Sequence, residues 1–146
     1  MENWVLLGIL AALAFGVSTI LSKVATNSNY FGVDARTAGL LMGMGIVITF
    51  ATYFLMQGGL AFPKNNLASA TAVAAGMAWA VGSLLVLTAF MGGADASKLT
   101  PIFNMNTLVV VGLGIILLHE LPQQSELLRV AIGAVLVVIG GILVSI

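Results

Sequence analysis

The sequence predicts an all-α integral membrane protein of five transmembrane helices, and three observations carry that prediction. Hydrophobic residues fill 60% of the 146 positions and charged residues only 7%, against about 45–50% and about 25% in soluble domains. Mean hydropathy is +1.15, too high for a chain that must cover itself with water-facing side chains. The charges are also segregated. Lys23, Asp34, Arg36, Lys64, Asp95, Lys98, Glu120, Glu126 and Arg129 fall between apolar runs or at their ends. Each run reaches the roughly 20 residues needed to cross a hydrocarbon core of about 30 Å.

The first span covers 4–25. A cleaved leader would begin with basic residues and carry a shorter apolar core. Here Met1-Glu2-Asn3 opens the chain and the apolar run continues to Ile20, so the segment reads as a retained helix. The second span, 37–57, follows the turn-rich Asn27-Ser-Asn-Tyr-Phe-Gly32. The third, 67–91, follows Gln57-Gly-Gly and Pro63-Lys-Asn-Asn66. Gly92-Gly-Ala-Asp95 introduces the fourth, 97–118, and His119-Glu-Leu-Pro-Gln-Gln-Ser125 the fifth, 127–146. Such Gly, Pro and Asn clusters stop helices. Strands are excluded because open sheet edges cannot sit in lipid, and a barrel would alternate over shorter segments. Small residues recur every fourth position in Gly39-Leu-Leu-Met-Gly43 and in the row Ala68, Ala72, Gly76, Ala80. That spacing lets helices approach closely in a membrane, so the five spans read as one packed domain, 1–146.

The same inventory excludes several functions. Five basic and five acidic residues give no net charge, hence no electrostatic footprint for nucleic acid. Without cysteine there is no thiolate metal site or cysteine nucleophile. No nucleophile–base pair, phosphate-binding loop or metal cluster is present, so neither enzyme chemistry nor a cofactor is expected. No acidic residue stands mid-span, which disfavours exchange driven by a membrane-embedded carboxylate. A neutral, zwitterionic or amphipathic solute fits better. Basic residues mark cytoplasmic loops, yet the balance is even: Lys64, Arg129 and the amino terminus on one side, Lys23, Arg36 and Lys98 on the other. Either another signal orients the chain or it inserts both ways.

From the fourth span onward the residues take on a family pattern. Ala96-Ser-Lys-Leu-Thr-Pro101, His119-Glu120, Gln124 and Gly133-Ala-Val-Leu-Val-Val-Ile-Gly140 resemble the EamA-type domain of the drug/metabolite transporter superfamily. Phe15-Gly16 and Lys23 in the first span fit it as well. Two positions depart from the pattern: Thr107 stands for a second proline and Phe15 for tryptophan. The resemblance implies a five-helix, half-size inverted-repeat unit in the cell (inner) membrane. It implies a transporter of a small metabolite or amphipathic solute, working by alternating access as an antiparallel homodimer. The alternatives are half of a heterodimer with a paralogue, or a membrane subunit that does not transport.

Polar and aromatic side chains within spans are the candidate solute contacts, since each needs a partner, a cavity or another helix. Phe15, Ser18, Thr19 and Ser22 share one face of the first helix. Gly76, Trp79 and Ser83 share a stripe of the third, and Thr100, Asn104 and Thr107 a stripe of the fourth. Asn104 either meets a solute or hydrogen-bonds another helix. Trp79 either stacks on a solute or fills space. The hydroxyls of Ser18, Thr19, Ser22, Ser83 and Thr107 readily bond their own helix carbonyls instead. Lys23 either binds a carboxylate at a cavity mouth or snorkels to headgroups. Glu120 and His119 read as loop residues, and Pro101 as a first-turn residue that sets its helix's entry angle.

Overall fold

The computed structural model describes residues 3–58, 65–119 and 124–145, with side chains at 4–58, 65–119 and 128–144. Glu2, Lys64, Glu120 and the side chain of Glu126 lie outside them. The elements are α1 (Asn3–Thr26), α2 (Ala35–Met56), α3 (Asn66–Met91), α4 (Ala96–Phe103), α5 (Asn106–Leu117) and α6 (Gln124–Ser145). Among the described residues, Trp4–Thr26, Ala35–Met56, Asn66–Met91 and Ala96–Leu117 are long and apolar enough to cross a membrane, and Leu128–Val144 is a shorter apolar helix. These fall on the five predicted segments with boundaries moved by three residues or fewer. The chain folds as two compact units, Met1–Gly93 and Ala94–Ile146.

In the first unit α3 packs against both α1 and α2. The small residues that open α2 bring it close to α3. Ala35 and Ala38 are buried with Leu87, and a Cβ added to Gly39 would stand 2.9 Å from Leu84 Cδ2. Gly43, predicted to pack in the same way, has no neighbour within 4 Å of where its Cβ would be. The small row of α3 likewise leaves Ala68, Ala72 and Gly76 exposed.

The bend between α1 and α2 is tied at one buried residue. Asn27 accepts from Asn29 N–H at 2.9 Å through its side-chain oxygen, and its Nδ2 donates to the Phe90 carbonyl at 3.2 Å. Gly32 turns the chain at φ +62, where a side chain is costly. Asp34 then caps α2 by accepting from Arg36 N–H at 2.9 Å, and Asn65 caps α3 by accepting from Leu67 N–H at 2.9 Å. Each cap satisfies one of the donors a helix start leaves open.

The second unit corrects the predicted fourth helix. It is not continuous over 97–118: α4 ends at Phe103, Asn104 and Met105 form a turn, and α5 resumes at Asn106. Met105, Thr107 and Leu108 N–H groups donate to the carbonyls of Ile102, Asn104 and Met105 at 3.1, 3.1 and 2.9 Å. These three-residue steps are the tight winding of a 3₁₀ turn. Because α4 begins at Ala96, Pro101 falls in its second turn rather than the first, where it has no N–H to offer the Ser97 carbonyl. The apolar run hid this break, since hydropathy is blind to backbone bonding. Across the seam α6 packs against α4 through Gly141. A Cβ there would stand 3.2 Å from Met105 Sδ and 3.4 Å from the Pro101 carbonyl oxygen.

Candidate functional site

A groove of about 390 Å³ opens between α2 and α3. Its walls include Arg36, Gly39 and Gly43 from α2, and Trp79, Ala80 and Ser83 from α3. Two glycines four residues apart produce it. Gly39 allows the helices to meet, and Gly43, one turn along, leaves space that no side chain fills. Trp79 forms one wall and is 45% exposed. The Ser83 hydroxyl donates to the Trp79 carbonyl at 2.9 Å, so its proton is engaged within the helix, and the groove's surface is almost wholly apolar. The volume is within the range of small-molecule sites.

The structure therefore brings together two of the predicted contacts, Trp79 and Ser83. The α1 candidates stand outside the groove's lining. Ser18, Thr19 and Ser22 are half-buried along one side of α1, Lys23 is half-buried in its last turn, and Phe15 is exposed. Thr19 donates to the Phe15 carbonyl at 2.8 Å, the local bond expected of a helical hydroxyl. Asn104 and Thr107 belong to the second unit. Asn104 closes α4, Thr107 lies in the first turn of α5, and the Thr107 hydroxyl donates to the Asn104 carbonyl at 2.7 Å. Their predicted stripe thus spans a helix break rather than one helix face.

Sequence reasoning missed Arg36, which read only as a charge marking a boundary. Its position in the first turn of α2, one turn before Gly39, was the available signal. It also missed Asn27 as a buried group, because its partner Phe90 lies 63 residues away.

The model of the family described as sugar transport protein matches residues 5–146. The chain belongs to that family. An uncharacterized protein of Methanocaldococcus jannaschii is 26% identical over 151 residues, covering 100% of this chain and 98% of the relative. A Listeria innocua protein named provisionally for sugar uptake is 30% identical over 118 residues, 80% of this chain and 40% of the relative. A Listeria monocytogenes protein with the same provisional name shows the same identity and coverage. The aligned part of this chain thus spans about two fifths of the sugar uptake relatives. No solved structure matches. Family and apolar helices together make this a multi-pass membrane protein of a transporter family, the class the EamA-type resemblance implied.

Proposed function

We infer that the protein carries a sugar-like solute across a membrane, with the groove between α2 and α3 as part of its binding site. The match to the sugar transport protein family over 5–146 carries this reading, and the names of the Listeria relatives support the substrate class. The groove suits it physically. An indole face accepts the apolar C–H face of a sugar ring, and Trp79 stands in a lining that is almost wholly apolar. The EamA-type kinship belongs to the same proposal.

Two such units would associate, as an antiparallel homodimer or with a paralogue, and alternate access by rocking against each other. The relatives' lengths support association. The aligned segment fills 40% of each Listeria protein, leaving room there for a second unit, whereas the Methanocaldococcus jannaschii relative is matched over 98% of its length.

The test is uptake of labelled monosaccharides by proteoliposomes. Wild-type protein accumulates solute above empty vesicles, and Trp79→Ala lowers uptake by about 5- to 10-fold, the worth of one aromatic contact. Asn104→Ala lowers it as well, with membrane insertion retained. Equal uptake by both variants and wild type would exclude these residues. No flux of any monosaccharide would leave a non-transporting subunit.

A further inference from the structure

Asn106 opens α5 with an exposed side-chain amide that no described residue engages. The tight turns around it use the N–H groups of Met105, Thr107 and Leu108, whereas the Asn106 N–H meets no described carbonyl. Asn106 is the eleventh of the 22 residues in the Ala96–Leu117 span, ~15 Å of helix from its ends. That is the middle of a hydrocarbon core of about 30 Å, where acyl chains offer neither donor nor acceptor. An amide at this depth needs protein or water against it.

The side of the span it occupies narrows the choice. Two residues separate Asn104 from Asn106, a rotation of about 200° in an α-helix and about 240° in a 3₁₀ turn. Their side chains therefore leave opposite sides of the span. Asn104 is joined to the exposed Thr107, whose hydroxyl donates to its carbonyl at 2.7 Å. Asn106 instead shares its side, at i+3, i+4 and i+7, with Val109, Val110 and Leu113, all exposed and all apolar. A sugar reaching that side would find one amide and no other polar side chain. A second asparagine fits better, because an amide is donor and acceptor at once and each of two can complete the other.

We propose that the span Ala96–Leu117 crosses the same span of a second, oppositely inserted copy at Asn106, with the two Asn106 amides hydrogen-bonded to each other. This rests on the antiparallel homodimer reading and assigns that dimer a contact. Depth supports the choice of partner. The two-fold axis that relates opposite insertions lies in the membrane midplane, where only residues halfway along a span meet their own counterparts. Asn106 stands at that depth. Polar side chains of this kind join helices across membrane interfaces.

The chain has no cysteine, so single cysteines report the pairing. Asn106→Cys, Leu113→Cys and Leu117→Cys are oxidised in native membranes with copper phenanthroline. Asn106→Cys should form disulfide dimers at least about 10-fold more than the other two. A disulfide needs Cα atoms within about 7 Å, and Leu113 stands ~10 Å of helix from Asn106, hence far from its own counterpart. Self-association is read by energy transfer between full chains labelled at Ser28→Cys and diluted into phosphatidylcholine vesicles. Asn106→Leu should weaken it about 3- to 10-fold, and Asn106→Gln, which keeps an amide, should weaken it less. Cross-linking at all three positions marks a parallel pair and overturns both the proposal and the antiparallel reading. No cross-link at Asn106→Cys while the chain still associates overturns the proposal and leaves that reading on another face. Association unchanged by Asn106→Leu overturns the proposal as well. Reaction of Asn106→Cys with an impermeant thiol reagent places the residue on an aqueous path, and the proposal fails while the carrier reading stands. No self-association overturns the proposal and the homodimer together.

Discussion

Thr26 and Asn27 are buried while most leucines are exposed, an inversion that a lipid solvent permits. Lipid tails solvate the leucines, whereas a polar group must find a partner inside the protein. Asn27 finds the Phe90 carbonyl, which also accepts from Gly93 N–H at 3.0 Å. Asn27→Ala should lower stability by about 1–3 kcal/mol, the cost of unpairing a buried polar group, read as a lower unfolding midpoint in detergent. Asn27→Asp should not restore it, because a carboxylate has no N–H to donate to Phe90. That Trp79 and Ser83 share one stripe of the third span was legible in the sequence from their spacing alone. Arg36 was not: a charge at a span boundary is commonplace, and only the packing of α2 on α3 places the residue beside a groove.

Helices show where hydropathy succeeds and where it stops. It located α1, α2, α3 and α6 to within three residues because lipid demands long apolar runs and the loops carry the charges. It could not separate α4 from α5, whose junction at Asn104 and Met105 is made by tight three-residue backbone turns. Small-residue spacing was half informative. Gly39 is a packing glycine, and Gly43 four residues on lines a groove instead. That difference predicts opposite results for two similar substitutions. Gly43→Leu fills the groove without meeting any atom near its Cβ, so uptake should be lost while the unfolding midpoint is kept. Gly141→Leu drives a side chain into Met105 and the Pro101 carbonyl. It should destabilise the protein by about 1–3 kcal/mol, as overpacking does, measured by unfolding in mixed detergent micelles. Closely packed helices in lipid gain little hydrophobic drive and depend on such fit.

At the scale of the whole molecule, the balanced basic residues predict dual insertion. The chain has no cysteine, so Ser28→Cys, in the exposed bend between α1 and α2, gives a single label site. An impermeant thiol reagent should reach about half of the copies from outside intact cells, as expected where positive-inside bias is absent. Uniform labelling or uniform protection would favour pairing with a paralogue instead. The Asn27–Phe90 bond gives this question a time axis. Asn27 leaves the ribosome 63 residues ahead of its acceptor, an interval of ~3–13 s at roughly 5–20 residues per second. During that interval the first helical hairpin lacks the tie that finishes its bend. If orientation is chosen during synthesis, the arrival of Phe90 marks the latest moment at which the hairpin can still turn over without breaking a native bond, so a translational pause placed between the two residues would be the means of biasing it.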